Sequence, residues 1–318
     1  MYEIRSYRPG DEKAIVAAWR ESMPRDPITP ERFRKKVLLD ANFDPEGAIV
    51  ATDGSGHVVG FMLALVRRLP LYGDDLEPDN AWITVFFVHP DHRRRGIASR
   101  MMQAAKAFVT QKGRKHLFFA SYAPNYFLPG IDESAYPEGY RFLLKEGFVK
   151  LYSPVAMDRS LVGFEVPGDV RALIRAREAE GYAFSRAEDR HLYPLMTFAN
   201  TVFNPDWGRS IREGILQGLP LDQIWVAEYE GRIVGFSMHG GYEGIPERFG
   251  PFGVDPMFQG KGLGKILLYL CLEGMCAKGL HGAWFLWTGE ESAAGHLYRQ
   301  AEFVITRKFH VMRHSWTR

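Results

Sequence analysis

The chain has few cysteines, almost no net charge and no long apolar run. Only two of its 318 residues are cysteines, Cys271 and Cys276, and they lack the CxxC spacing of zinc and redox motifs. We therefore expect neither a disulfide framework nor a metal site, and we expect a reducing, cytoplasmic location. A net charge of +2 gives no chain-wide surface for nucleic acid.

Attachment to a membrane is not expected either. The apolar stretch at residues 266–272 is far shorter than a membrane span. Residues 2–7 alternate polar and apolar side chains and do not resemble a secretory leader. The 46% apolar and 25% charged content is that of an ordinary globular protein.

Two segments far apart in the chain repeat one pattern. Residues 88–100 read VHPDHRRRGIASR, and residues 254–265 read VDPMFQGKGLGK. Aligned without a gap, they share the first valine, the proline two residues later, and the glycine that is Gly96 or Gly262. Each segment follows an apolar strand pattern and precedes a long apolar helix pattern. Backbone N–H groups at such a loop and helix N-terminus surround an anion, so we interpret both as pyrophosphate-binding loops.

The two halves of the chain repeat one order of predicted elements. The order is strand, helix, β-hairpin, apolar strand, basic glycine loop, long helix, strand, helix and strand, beginning at residues 2–7 and again at residues 182–185. The predicted elements include helices at about residues 97–111 and at residues 191–202, and a single strand at residues 148–157. Residues 159–181 are interpreted as the connection, with a polar helix at residues 170–179. We predict two tandem α/β domains with mixed sheets, residues 1–160 and 161–318.

This order, with a [Gln/Arg]-x-x-Gly-x-[Gly/Ala] loop, resembles the GNAT superfamily, the Gcn5-related N-acetyltransferases. The matching loops, called here the first and second phosphate loops, are Arg93-x-x-Gly96-x-Ala98 and Gln259-x-x-Gly262-x-Gly264. Because both occur in the same context, the resemblance covers nearly the whole chain. The spacing does not fit the Rossmann G-x-G-x-x-G pattern, and a P-loop would need glycine at Gln259.

The resemblance implies that the phosphate loops and the strands before them bind acetyl-CoA. Small residues at the glycine positions let backbone amides approach the phosphates, and the helix N-terminus adds positive potential. The residues expected to contact the cofactor are Val88, Arg93, Arg94, Arg95, Gly96, Ile97, Ala98, Phe252, Gly253, Val254, Gln259, Gly260, Lys261, Gly262, Leu263, Gly264 and Lys265.

The resemblance also implies catalytic roles. A tyrosine in the helix after the fifth strand often assists the leaving thiolate in this family, and Tyr298 falls there, although it could instead pack on the sheet. Leu143 takes that position in the first half, so we predict that the second half is catalytic. The first half would then bind acyl-CoA, support the fold or help form the acceptor pocket. Glu247 is the candidate general base, with Glu243 and His239 as alternatives.

A backbone N–H near residues 252–254 is the expected donor to the thioester carbonyl oxygen. Gly250-Pro251 predicts a β-bulge beside it, because both residues interrupt ladder pairing.

The predicted function is transfer of an acetyl group from acetyl-CoA to a primary amine of a small molecule or peptide. A longer acyl-CoA donor remains an alternative. So does a non-catalytic acyl-CoA-binding sensor or interaction protein, because Glu291, Glu302 and Leu143 depart from the family pattern. Two domains in one chain can imitate the dimer of single-domain relatives, so both a monomer and a homodimer are open.

Overall fold

The computed structural model describes residues 1–316 and divides into two compact units. The first unit comprises Met1–Pro154 together with the segment from Lys308, and the second comprises Val155–Arg307. The order of elements in each unit is a mixed α/β one, as predicted.

The bounds of the elements follow the chain. The helices are α1 (Glu12–Ser22), α2 (Pro30–Phe33), α3 (Ile97–Gln111), α4 (Pro137–Lys145), α5 (Gly168–Ala179), α6 (Asp189–Phe198), α7 (Pro205–Leu216), α8 (Leu263–Ala277) and α9 (Ala293–Gln300). The strands are β1 (Glu3–Ser6), β2 (Ala48–Thr52), β3 (Val58–Leu65), β4 (Asn80–Val88), β5 (His116–Phe119), β6 (Val149–Tyr152), β7 (Pro154–Ser160), β8 (Tyr182–Arg186), β9 (Ile224–Tyr229), β10 (Arg232–His239), β11 (Phe249–Val254), β12 (Gly282–Gly289), β13 (Val304–Lys308) and β14 (Val311–Ser315). Two π-helical turns, Arg34–Leu38 and Ala199–Phe203, follow α2 and α6.

Helix α3 illustrates why these elements form where they do. Ile97, Met101, Ala105 and Phe108 recur every three or four residues, and all four are buried. Gly96, just before the helix, has φ 76°, a conformation that glycine adopts without steric cost. The helix therefore begins directly at the first phosphate loop, which confirms the sequence prediction for its bounds.

The central strands of the first unit's sheet are buried on both faces. Ala48 and Val50 of β2 belong to the apolar cluster that includes α1, whereas Ile49 and Ala51 belong to the cluster that includes α3. This alternation follows the two-residue period of a strand. The sheet thus separates the α1 side from the α3 side.

In the first unit, two parallel strands, β4 and β5, separate part-way along their length. The strand order is β1-β2-β3-β4-β5-β14-β6, and β4 pairs in parallel with β5 from Asn80↔His116 to Ile83↔Phe119. Beyond this point β5 ends, while β4 continues to Val88. The distal half of β4 therefore has one edge open on the β5 side.

One strand near the end of each half of the sequence lies in a sheet with strands of the other half. Strand β14 lies between β5 and β6, and β7 lies between β12 and β13. The sequence pattern predicts that these strands stay with their own halves, 1–160 and 161–318, and that residues 148–157 form one strand. Ser153 alone separates β6 from β7, so the chain has no loop in which β7 could turn back beside β6.

Both units carry a β-bulge at the same place. Opposite β10, an extra residue lies between Phe249 and Phe252 of β11, which confirms the predicted bulge. In the first unit Leu63 pairs with Val85 and Ala64 with Ile83, so Thr84 is the extra residue of β4.

The second unit has two sheets, β11-β10-β9-β8 and β12-β7-β13, joined by a parallel bridge between Arg248 and Trp284. The single helix predicted at residues 191–202 is in fact α6 and a π-helical turn, and α7 follows from Pro205. Proline suits the first helical position, so Asn204-Pro205 starts a new helix.

Candidate active site

The first phosphate loop has the backbone of an anion-binding turn. Arg94 (φ 62°) and Gly96 (φ 76°) adopt the left-handed conformation and alternate with Arg95 between them. The amides of Ile97, Ala98 and Ser99 open α3, and the first amides of a helix have no intrahelical acceptor. A Cβ placed on Gly96 would meet no described atom within 4 Å. The loop therefore presents donors to open space.

The three arginines of this loop have different roles. Arg93 donates from Nε to the carbonyl oxygen of Val88 at 3.0 Å and so ties the loop to β4. Arg94 lies 2.7 Å from Glu138 Oε1, and this contact lowers the pKa of Glu138. Arg95 donates to the hydroxyl of Tyr2 at 2.9 Å. Cationic charge thus borders the loop, partly balanced by one carboxylate.

A cavity of 860 Å³ opens at this loop. It continues along residues 84–88, the part of β4 that extends beyond its pairing with β5, to the turn between α1 and α2 and to the segment that follows β5. Its volume lies within the range of about 300–1,000 Å³ that small-molecule sites occupy. Of the seven contact residues predicted in the first half, six line it: Val88, Arg93, Arg94, Gly96, Ile97 and Ala98.

Thr84 places an unpaired polar group on the cavity wall. The residue is 3% exposed, and its Oγ1 has no hydrogen-bond partner within residues 1–316. A buried hydroxyl without a partner costs free energy, on the order of 1–3 kcal/mol. A ligand that hydrogen-bonds at the bulge would remove this cost.

The second phosphate loop has the same backbone but is covered. Gly260 (φ 78°) and Gly262 (φ 79°) repeat the left-handed pair. A Cβ on Gly262, however, would lie 2.7 Å from Cδ2 of Leu173 in helix α5. Lys265 Nζ lies 2.6 Å from Asp169 Oδ2, also on α5. Helix α5, which the sequence predicts as part of the connection, therefore lies over the second phosphate loop.

Family models match both halves of the chain. Residues 13–127 match the model described as "Acetyltransferase (GNAT) family", and residues 220–305 match the "Acetyltransferase (GNAT) domain". The chain belongs to the GNAT acetyltransferase family. It is a tandem member with one such domain in each half, as the sequence predicted.

Similar proteins extend over the full chain. A "Mycothiol acetyltransferase" of Amycolatopsis mediterranei (strain U-32) is 23% identical over 95% of this chain and 94% of its own. A "GCN5-related glucosamine N-acetyltransferase region" of a fungal multi-domain β-N-acetylglucosaminidase has a TM-score of 0.82 at 16% identity, over 99% of this chain and 38% of that one. A "Tandem GNAT protein from the clavulanic acid biosynthesis pathway" has a TM-score of 0.65 at 16% identity, over 99% and 98%. The two structures share the fold with this chain.

In the second GNAT domain, Tyr298 is packed as a core aromatic. Its ring centroid lies 4.4 Å from that of Phe285 and 5.5 Å from that of Phe303, and the residue is 7% exposed. Burial raises the pKa of its hydroxyl. On β11, a Cβ on Gly253 would contact the ring of Phe203 and lie 2.9 Å from that of Trp207. Aromatic side chains thus fill the region beside the second loop.

The candidate bases of the second domain have structural partners. The Glu243 carboxylate pairs with Arg248 at 3.0 Å. At Glu247 the backbone carbonyl oxygen, and not the carboxylate, accepts the Trp284 amide at 3.0 Å. His239 is fully buried, and burial lowers its pKa. The role of Glu247 as the base stays a prediction.

The other predicted contacts of the second domain lie in sequence order along β11, the loop and the start of α8. They are Phe252, Val254, Gln259, Gly260, Lys261, Leu263 and Gly264. Lys261 Nζ lies over the rings of Tyr182 and Phe258, at 5.5 and 5.8 Å. Three lining residues of the first cavity, Thr84, Asp26 and Tyr136, are not predicted from the sequence. The repeat does offer a signal for Thr84, because the bulge predicted at Gly250-Pro251 has its counterpart on β4.

The described part of the chain lacks a cluster of metal-binding side chains and a membrane-spanning helix. Within residues 1–316, no group of three or more His, Cys, Asp or Glu side chains is arranged to hold a metal ion. No helix there combines the length and apolar character needed to cross a membrane.

Proposed function

We propose that this GNAT protein transfers an acetyl group from acetyl-CoA to a primary amine of a small molecule or peptide, and that the cavity of the first unit is its working site. The observation that carries the proposal is a contrast between the two phosphate loops, which have the same backbone conformation but differ in what covers them. Gly96 faces open space at the mouth of an 860 Å³ cavity, whereas Leu173 lies over Gly262.

The residues of the first unit fit coenzyme A. The amides of the first phosphate loop and of the α3 N-terminus would bind its pyrophosphate, assisted by the guanidinium groups of Arg93 and Arg94. The acyl group would lie along the open edge of β4. There the bulge at Thr84 frees backbone N–H groups, and the unpaired Oγ1 of Thr84 offers a further hydrogen bond.

The reaction needs few groups from the protein. The amine nitrogen forms a C–N bond to the carbonyl carbon, the C–S bond breaks, and coenzyme A leaves as a thiolate. One proton leaves the nitrogen and one reaches the sulfur, so the charges balance. A backbone N–H of residues 84–86 would stabilise the charge that develops on the carbonyl oxygen.

This proposal reverses the sequence-based assignment of catalysis to the second half. In the first unit Leu143 takes the position at which the family often has a tyrosine. Another group or water must therefore protonate the thiolate of coenzyme A there. The two unpaired cysteines fit the cytoplasmic location that is part of the proposal. The acceptor proposed is a class, primary amines, and not one compound.

Matched substitutions at the two glycines test the proposal. Gly96→Ala and Gly262→Ala both force a side chain into a left-handed conformation, at a cost of roughly 1–2 kcal/mol each. The new Cβ at position 262 also displaces the end of the Leu173 side chain, so Gly262→Ala is the more disruptive change for the fold. Acetyl-CoA is titrated into each variant by calorimetry, and turnover is followed with a panel of primary amines. We expect one equivalent to bind the intact protein, Gly96→Ala to lose at least tenfold in affinity, and Gly262→Ala to bind normally. The opposite pattern would move the working site to the second unit, and no binding at all would end the transferase proposal.

A further inference from the structure

From the first phosphate loop, the cavity of the first unit continues between helices α3 and α4. Arg94, just before α3, lies 2.7 Å from Glu138 in the first turn of α4. Further along, Lys106 of α3 donates to the carbonyl oxygen of Glu146, which follows α4, at 2.9 Å. The two helices therefore run side by side in the same direction. The residues that line the cavity between them, called here the α3–α4 groove, are Ala98 and Ser99 of α3 and Arg141, Phe142 and Lys145 of α4.

Helix α4 supplies two cationic side chains to this groove. Arg141 and Lys145 are four residues apart, so they lie on the same face of the helix. Like charges at this spacing repel each other and slightly destabilise a helix. Within residues 1–316, neither side chain makes a hydrogen bond or an ion pair. Their positive charge is therefore available to a ligand.

The carboxylates next to these two cations in sequence are paired with other residues. Glu138, one turn before the first of them, lies 2.7 Å from Arg94. Glu146, directly after the second, lies 3.2 Å from Lys106. The groove therefore keeps an excess of positive charge that α4 itself does not neutralise.

The arginines of the cavity that lie outside α4 and the phosphate loop belong to a different region. Arg25 lies in the turn between α1 and α2, and Arg32 lies on α2. Phe33 of α2 packs in the apolar cluster on one face of the sheet, whereas Leu143 of α4 packs with α3 in the cluster on the other face. The cavity thus has two cationic regions, and the α4 pair is the one on the side of the phosphate-loop helix.

A phosphate monoester is the ligand that suits this pair. It carries about 1.5–2 negative charges at neutral pH, and an arginine fork with a lysine ammonium binds such a group well. Coenzyme A has a phosphate monoester on the 3′ oxygen of its ribose, next to the pyrophosphate. Arg141 and Lys145 lie about 4.5 and about 10.5 Å beyond Glu138 along the helix axis, so the groove leads from the pyrophosphate loop directly to them.

We propose that Arg141 and Lys145 bind the 3′-phosphate of coenzyme A and thereby select this carrier of the acyl group. The inference rests on the proposed function and deepens it, because it concerns a part of the donor that the phosphate loop does not hold. Dephospho-coenzyme A and protein-bound phosphopantetheine carry the same thioester without the 3′-phosphate. Both are therefore poorer donors for this protein, although their reacting carbonyl group is identical.

The test removes the charge from either side of the contact. Acetyl-CoA and acetyl-dephospho-CoA, which differ in the 3′-phosphate alone, are titrated by calorimetry into the intact protein and into the double variant Arg141→Ala/Lys145→Ala. The control is Lys13→Ala/Arg212→Ala, which removes the same two residue types from exposed positions of α1 and α7 outside the cavity. Thermal melts of the unliganded proteins compare their folding.

We expect the intact protein and the control to bind acetyl-CoA at least fivefold more tightly than acetyl-dephospho-CoA. In Arg141→Ala/Lys145→Ala this ratio should fall below twofold, because acetyl-CoA binding weakens while binding of the dephospho form is unchanged. The single variants Arg141→Gln and Lys145→Gln should each lower the ratio in part, whereas Arg141→Lys should keep most of it. The ratio of the intact protein should shrink at high salt, since both side chains are exposed.

The outcomes separate this inference from the proposed function. Equal affinity of the intact protein for the two ligands overturns the inference and leaves the proposed function standing, since the pair would then serve another anion, such as one on the acceptor. A fivefold ratio that persists in a folded double variant overturns the assignment to this pair. Absence of acetyl-CoA binding in the intact protein overturns the proposed function itself.

Discussion

The hydroxyl of Tyr298 is expected to contribute nothing to turnover. Its ring packs among Phe249, Phe285 and Phe303, as a core residue would. Tyr298→Phe keeps that packing and removes the hydroxyl alone, so kcat and acetyl-CoA affinity should both stay within about twofold in a steady-state assay. A fall in kcat of a hundredfold with intact binding would return catalysis to the second unit.

Glu138 is expected to oppose the binding of coenzyme A. Its carboxylate lies 2.7 Å from Arg94 and 3.5 Å from Arg93, beside the loop that would hold a pyrophosphate. Glu138→Gln removes this negative charge and should tighten acetyl-CoA binding by about threefold to tenfold at low ionic strength. The gain should shrink in calorimetry at high salt, because exposed charges are screened. Weaker binding in the variant would show that Glu138 orders the arginines instead.

Single residues were predictable from the sequence where their role is local. The glycines of the phosphate loops stand in a short pattern, and their left-handed backbone follows from it. The hydrogen bond between Asp26 and Tyr136 was not predictable, because it joins segments 110 residues apart that meet through the fold alone. The position of Leu173 over Gly262 was not predictable for the same reason, because these residues also lie far apart in the sequence.

Helix α5 is expected to keep the second phosphate loop closed. Leu173 covers Gly262, and Asp169 neutralises Lys265. The double variant Leu173→Ala/Asp169→Asn should expose the loop and add a second, weaker equivalent of acetyl-CoA in a calorimetric titration. The single variant Arg171→Ala, on the same helix and paired with Glu273, is the control and should keep one equivalent. A titration unchanged by the double variant would show that the second loop does not bind even when uncovered.

Elements were predicted well where one periodic pattern fills them. The helix predicted at residues 97–111 is α3, because its apolar positions follow one face and glycines flank it. The predictions were wrong where two elements abut without a loop. Residues 148–157 form two strands, and residues 191–202 include a π-helical turn before α7, since their apolar content continues through each junction.

The first unit is expected to depend on β14. This strand pairs with β5 and β6, and its residues Val311 and Met312 are 1% and 0% exposed. A chain that ends at Phe309 should lose acetyl-CoA binding and unfold at a markedly lower temperature, although the phosphate loop lies some 200 residues earlier in sequence. A chain that ends at Trp316 keeps β14 and should behave as the intact protein. Calorimetry and thermal melts compare the two, and normal binding by the shorter chain would contradict the dependence.

At the scale of the molecule, the sequence predicted two tandem GNAT domains but not the exchange of β7 and β14. The exchange cannot be predicted from the repeat, because equivalent strands of the two halves have equivalent apolar patterns. By pattern alone β7 could pair with strands of either half. The single residue between β6 and β7 leaves too little chain for β7 to turn back beside β6.

The exchange of β14 also sets an order of events during synthesis. A ribosome that has made the first 160 residues has made the phosphate loop and the open edge of β4, but not the strand that lies between β5 and β6. At about 5–20 residues per second, that strand follows only after roughly 8–30 s more. Throughout this interval β5 and β6 are without the strand that joins them, so a nascent chain would need chaperones, or the early folding of the second unit, to protect them from wrong partners. The site proposed in the first unit would become complete only after β14 has been made.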